Sequence, residues 1–338
     1  MSGDVNVAVG DFTVLDERGQ VAPGSDVWIY ARGLADDIAT ELTPELAAIE
    51  RQGYTVVVWG PDRVGDLSGV SSEERARRME ARAHAIDADV VLSGVLDATT
   101  GEAVLSTEFF VPEVQLPGAG ELAGLHTLDR IAKAGGELGV DRRARGELRG
   151  ELLRRVRGLA EFILGVALYK FYSISEAYEH FRVAESALGE LGDRKVLYLF
   201  LGNALGKLAG SRRDRRQALE RARSYYERAR RLDARDGDPY ALYGRAYLGL
   251  AEIAFQRSSG GCQRGRAHRE GLEESARLYR QASQDPRRVG GANLGTKVAF
   301  GLGRTASRAW SACRPSTATC STRSSSCSGS CPQWISMS

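Results

Sequence analysis

The stretch Arg223–Tyr247, RSYYERARRLDARDGDPYALYGRAY, decides the fold. Tyr226 and Ala229 stand three residues apart, and Gly244 and Tyr247 follow fifteen and eighteen residues after Ala229. Residues three apart share one helix face. A small residue recurring beside a large aromatic marks two helices that cross closely, with the aromatic wedged next to the crossing. The segment reads as the end of one helical hairpin and the beginning of another. The middle of the chain is then a repeat array, whose work is binding more than chemistry.

The pattern continues on both sides. LAEFILGVALYKFYSISEAYEHFRVAESAL carries Gly165 and Leu168 on a first helix and Ala177, Phe181 and Ala184 on a second. YLFLGNAL supplies Leu201, Gly202 and Leu205, and its partner helix follows with Ala222, Tyr226 and Ala229 after an insertion around GSRRDRRQ. YALYGRAY opens a third unit with Tyr240, Tyr243, Gly244 and Tyr247, and LEESARLYRQA, with Tyr279 and Ala282, reads as its second helix. A fourth first helix begins in KVAFGLGR, with Leu302 and Gly303. These spacings resemble the tetratricopeptide repeat, a ~34-residue helix–turn–helix unit with small residues where helices touch and large ones between them. The resemblance covers residues 158–304, as three repeats and part of a fourth, after a connecting helix over 141–157. It implies an all-α solenoid whose concave face holds a partner's peptide or helix.

The front of the chain has a different period. Val5–Val14 alternates as a strand does, and Ala31–Ile49 has apolar residues at helical spacing, with Pro44 expected to kink or split it. YTVVVWG, from Tyr54 to Gly60, is apolar on both faces and suits an interior strand. A helix over Ser72–Ile86, a strand over Ala88–Leu96 and a hairpin partner over Ala103–Val111, across a turn at Thr100-Gly101, complete a β-α-β-α-β-β order. This is an α/β domain, taken as residues 1–140. VAVGDF, GLADDIATEL, YTVVVWGPDRV, RAHAIDADVVLSGVLD and VLSTEFFV together resemble the TolB-like amino-terminal domain over residues 5–112. The resemblance implies a sensing or docking module with no catalytic residues, in a bacterial signalling protein.

Charge separates the same two parts. Residues 1–140 hold 24 acidic and 10 basic side chains, and residues 141–338 hold 20 acidic and 36 basic ones. The halves are therefore expected to attract each other in the folded chain. No positively charged start with an apolar stretch opens the sequence, and no window reaches the ~20 apolar residues of a membrane span. The expectation is a soluble, cytoplasmic chain, with an anchor upstream of Val5 as the one open alternative. Cysteine first occurs at Cys262, so disulfides do not build the body of the fold.

Motifs for chemistry are near misses. GGANLGTK, Gly290–Lys297, resembles a phosphate loop, but Thr296 separates Gly295 from Lys297 and breaks the required order. The histidines, His84, His126, His180 and His268, are dispersed, and Cys262 and His268 share a Gly-rich insertion that reads as a loop. Trp59-Gly60-Pro61-Asp62 stands at a strand's carboxyl end, where α/β sheets bind ligands, yet a plain turn explains it as well. The arginines between Arg212 and Arg231 are interleaved with Asp214, Glu220 and Glu227, which favours a solvated helix face over nucleic acid.

The reading is a non-enzymatic scaffold or adaptor: an α/β domain, then a tetratricopeptide array gripping a protein or peptide partner, its basic helices suiting equally an acidic peptide or the acidic front domain itself. No cofactor and no metal are expected. Groove residues are expected on the first helix of each repeat, at Lys170, Asn203, Lys207 and Arg245. The alternative is a regulatory part of a larger signalling or transcription-control protein. After Arg304 acids vanish and Ser, Thr and Cys dominate, so residues 305–338 read as a disordered or frame-shifted tail. Cys313, Cys320, Cys327 and Cys331 lack the close paired spacing of a zinc site.

Overall fold

A computed structural model describes residues 3–21, 23–50, 53–99, 103–116, 118–133, 142–188, 194–210, 214–236, 243–258, 266–284 and 293–313. Its front part is one mixed sheet with three helices. The strands are β1 (Val5–Val9), β2 (Thr13–Asp16), β3 (Gly19–Gln20), β4 (Val56–Trp59), β5 (Val90–Asp97), β6 (Ala103–Val111) and β7 (Gly124–Lys133); the helices are α1 (Asp26–Glu50), α2 (Pro61–Val64) and α3 (Ser72–Ile86). β5 is the spine. One edge pairs in parallel with β1 and then β2, while the other pairs antiparallel with β6, which in turn pairs with β7.

The single strand expected over Val5–Val14 is two, broken at Gly10–Phe12. A Cβ on Gly10 would lie 2.3 Å from Leu67 Cδ1, and the Asp11 amide donates to the Gly65 carbonyl, so the passing loop diverts the chain there. Among the described residues β4 pairs only with β1 and lies at an edge of the sheet, a correction to its reading as an interior strand. Its apolar residues are half-buried, with α1 packed beside it. Pro44 does not split α1. Thr40 and Pro44 are both exposed, so the hydrogen bond that proline removes falls on the solvent side of the helix. α3 begins at Ser71, whose Oγ accepts from the Glu74 amide at 3.1 Å, and ends at Asp87 in the left-handed region, φ +52°. The Thr100-Gly101 turn lies outside the described residues.

Behind the sheet runs a repeat-like series of helices: α4 (Arg142–Lys170), α5 (Ile174–Ala187), α6 (Lys195–Leu208), α7 (Arg215–Asp236), α8 (Tyr243–Ser258), α9 (Arg266–Ser283) and α10 (Asn293–Cys313). They pack as consecutive pairs. The connecting helix expected over 141–157 is not separate, because α4 runs unbroken through it into the first hairpin. The last three residues of the GSRRDRRQ insertion, Arg215–Gln217, lie in the first turn of α7. α10 continues to Cys313, past the change of composition after Arg304, and Thr305 is buried with its hydroxyl donated to the Gly301 carbonyl at 2.8 Å. Residues 314–338, with Cys320, Cys327 and Cys331, lie outside the described residues.

Glycines let the helices meet. Ideal Cβ atoms would stand 2.4 Å from the Phe181 ring at Gly165, 3.0 Å from Tyr226 at Gly202, 2.2 Å from Tyr226 at Gly249 and 2.2 Å from Tyr279 at Gly301. In α8 the close approach to Tyr226 is made by Gly249, and one register correction follows. In α10 the contact is made by Gly301, while Gly303 faces open space.

The sheet and the helical series share one core. Val5, Val7, Leu92, Leu105 and Phe109 of the sheet join Leu34, Ile38 and Leu42 of α1 and Leu148, Leu152, Phe162 and Phe200 of the later helices. Phe109 meets Phe162 edge-on at 4.9 Å, Phe162 meets Phe200 at 5.1 Å, and Phe181 lies 5.4 Å from Phe200. The opposite face of the sheet carries a smaller core of Ala8, Leu67, Met79, Ala83, Val91, Phe110 and Leu125.

Candidate functional site

β6 leaves the sheet into two 3-10 turns, Glu113–Gln115 and Gly120–Leu122, before β7 returns. This excursion lies against α6, α8 and α10. A cleft of about 290 Å³ opens there, walled by Gly118, Glu121 and Leu122 on one side and by residues of α6, α7, α8 and α10 on the other. It includes Asn203, Lys207 and Arg245, three of the four groove residues expected from sequence.

Each of these three is engaged with the front domain. Asn203 donates Nδ2 to Glu121 Oε1 at 2.7 Å and accepts from the Tyr169 hydroxyl. Arg245 is buried, donating Nη2 to the Ala123 carbonyl at 2.8 Å and Nη1 to His126 Nδ1 at 3.2 Å. Lys207 stands 4.7 Å over the Tyr169 ring, near Gly118. Burial holds its ammonium below the ordinary lysine range, against the attraction of Glu121, with Lys297 adding to the depression. Lys170 lies elsewhere. At the end of α4 its ammonium donates to Asp89 Oδ1 at 2.7 Å and to the Asp4 carbonyl at 3.4 Å, at the amino ends of β1 and β5.

Sequence reasoning missed the acidic centre of the cleft. Glu121 is almost fully buried and takes Lys297 on its second oxygen, while Lys297 also donates to the Gly118 carbonyl at 3.2 Å. Lys297, set aside above as part of a broken phosphate loop, is thus a bridge between the two halves. Glu252 faces the cleft and is held by Arg304 Nη2 at 2.6 Å and by the Tyr279 hydroxyl. Tyr226 forms the floor, and burial pushes its hydroxyl well above the usual range, with Glu121 and Glu252 adding to the effect. Phe300 stands at the rim, 67% exposed. Glu121 and Glu252 lie on separate elements more than a hundred residues apart, so no local spacing announces them.

His126 pins the seam. Its ring stacks on Phe109 at 5.0 Å, and Nε2 lies 2.7 Å from the Leu122 carbonyl. Burial first, then the charge of Arg245, keeps its pKa well below 6.5. The neutral ring therefore donates from Nε2 and accepts at Nδ1.

The other sequence candidates are placed apart from this cleft. Trp59-Gly60-Pro61-Asp62 turns into α2, and Asp62 pairs with Arg32, whose guanidinium also lies 3.9 Å from Asp11. His180 meets Glu161 at 2.7 Å on the helix pair α4–α5. Cys262 and the side chain of His268 lie outside the described residues. No helix among the described residues is long and apolar enough to cross a membrane. No protein family, curated protein or solved structure matches the chain.

Proposed function

We propose that this chain is a non-enzymatic interaction scaffold in which a tetratricopeptide-type array carries a TolB-like α/β domain on its inner face. The cleft left between them accepts a segment of a protein partner. The observation that carries this reading is the cleft itself: its walls come from both halves, and its floor is the aromatic Tyr226 set between Gly202 and Gly249. Part of the inner face is already taken by the 118–123 excursion, which uses Asn203, Arg245 and Lys297. A volume near 290 Å³ suits one or two side chains or a chain end, not a whole helix.

Lys207, Arg245 and Lys297 against Glu121 and Glu252 leave the lining with a surplus of positive charge, which favours an acidic segment. A role in bacterial signalling and a cytoplasmic site belong to the same proposal and rest on the family resemblances. Affinity capture with the immobilised full chain, read by mass spectrometry, is the test. Lys207→Glu combined with Gln256→Glu is expected to abolish capture of the partner, and Arg143→Glu on the outer side of α4 to leave it intact. Equal capture by all three proteins overturns the reading.

A further inference from the structure

We propose that a second pocket, enclosed by α7, α8 and α9, is an anion site that takes a phosphomonoester group. Its volume is about 290 Å³, and it shares only Ile253 with the interdomain cleft. Four guanidinium groups line it, those of Arg223, Arg230, Arg257 and Arg277, against the two carboxylates of Glu227 and Glu274.

The pairing inside the pocket is uneven. Both carboxylates are spent on Arg223, whose Nε donates to Glu227 at 2.9 Å and whose Nη2 lies 3.6 Å from Glu274. Arg257 is drawn to Glu220 at 2.9 Å. Arg230 and Arg277 are left with neutral partners. Arg230 donates to the Tyr247 hydroxyl at a long 3.4 Å, and its Nε is buried with no hydrogen-bond partner. Arg277 donates to Gln281 Oε1 at 3.3 Å and stands at the exposed mouth of the pocket, so the buried demand is that of Arg230. Among the described residues no acid answers either charge. A buried donor on a cation is costly to leave unmatched.

A phosphomonoester meets these demands together. It carries close to two negative charges near neutral pH, which matches the two unanswered guanidinium groups, and its three oxygens accept several donors at once. A single carboxylate would neutralise only one of the two arginines. Arginine forks are suited to such oxygens. Leu250, Ala254 and Leu278 supply an apolar wall beside the arginines, against which the organic part of the ester would rest. The site stands whether or not the interdomain cleft binds a peptide, because its charged residues belong to the helices alone.

The test is calorimetric titration of the full chain with inorganic phosphate, phenyl phosphate and a serine peptide in phosphorylated and unphosphorylated forms. Phosphate and phenyl phosphate are expected to bind, more weakly as salt is raised. Arg230→Gln and Arg277→Gln should each weaken binding about tenfold or more, the loss of one charge-assisted contact. Arg230→Lys and Arg277→Lys retain charge and most packing; where a Gln variant fails to fold, they give the same readout with a smaller loss. A phosphopeptide that binds more tightly than phenyl phosphate assigns the group to a protein, and the reverse assigns it to a small molecule. No binding of phosphate or phenyl phosphate in the millimolar range overturns the proposal. So does unchanged binding in the arginine variants, or equal binding of the unphosphorylated peptide.

Discussion

The two faces of the sheet solve the same problem in different ways. One face is carried away from the sheet by rings: Phe109 hands its contact to Phe162, and Phe162 to Phe181 and Phe200 on later helices. The other face ends at α3, where Arg75 is clamped on Glu108 by two hydrogen bonds of 2.8 Å, both side chains almost wholly buried. Arg75 also donates to the Gly69 carbonyl at 2.8 Å. The first face is covered jointly by α1 of the front domain and by the later helices, so its closure draws on both halves. The polar face is closed within the front domain. The difference makes the molecule one folding unit along the first face and a self-contained layer along the second.

The sharpest way to break this comparison is Phe162→Ala, which removes the ring joining the sheet to the helices. It is expected to cost about 4 kcal/mol and to lower the stability of both halves in a single transition. Denaturation followed both by tryptophan fluorescence, with Trp28 and Trp59 in the front domain, and by helical circular dichroism checks this. Two separated transitions in the unmutated chain would show that the shared core does not couple the halves.

Glu108→Gln addresses the opposite face and leaves the Arg75 charge buried without its acid. A loss of about 3 kcal/mol is expected, held below the extreme by the carbonyls that still accept from Arg75. Hydrogen exchange should show the opening concentrated in α3, β6 and their loops. An opening that spreads evenly into α8 and α9 would contradict a self-contained layer.

Gly249→Leu tests the register within the helices, since its first side-chain carbon would already fall 2.2 Å from Tyr226. The expected cost of overpacking is about 2 kcal/mol. Gly303→Leu, at a position with open space, should change the melting temperature little. Reversal of that order would restore a frame in which the later glycine marks the helix contact.

The smallest effect concerns pH and the seam. His126 stays neutral when folded, with a pKa well below 6.5, and protonates near its ordinary value when unfolded. The unfolded chain therefore binds more protons in that window. Stability from this group is complete above about pH 6.5 and is lost as pH falls, by about 1.4 kcal/mol per unit at most. Melting curves between neutral and mildly acidic pH should show a shallower decline in His126→Gln than in the unmutated chain. Parallel declines would place the titration elsewhere.

Much of this structure was legible before any coordinates. The alternation of Val5, Val7 and Val9 and the helical spacing of Leu34, Ile38 and Leu42 are local, and each maps onto an observed strand or helix. α3 and β6 were placed to the residue, because a capping serine and a run of β-formers bound them. β7 was not foreseen. Its partner strand carries a register shift between Thr107 and Glu108, and both His126 and Thr127 are buried, so alternation is blurred where it would have announced the strand.

Sequence alone determined that an α/β front precedes a run of paired helices with small residues facing aromatics, since hydrophobic period and helix contact are set by near neighbours. Tertiary structure decided the rest. It put the α10 contact at Gly301 and not at Gly303, because which side of a helix meets a neighbour is set by packing and not by the local period. It brought Asn203, Lys207 and Arg245 into one cleft and sent Lys170 to Asp89. It also placed the chain's own Glu121 and Ala123 against Asn203 of α6 and Arg245 of α8. Partners such as Glu121 and Lys297, 176 residues apart, meet only after the shared apolar core has brought the halves together, and a sequence pattern has no means of recording that distance.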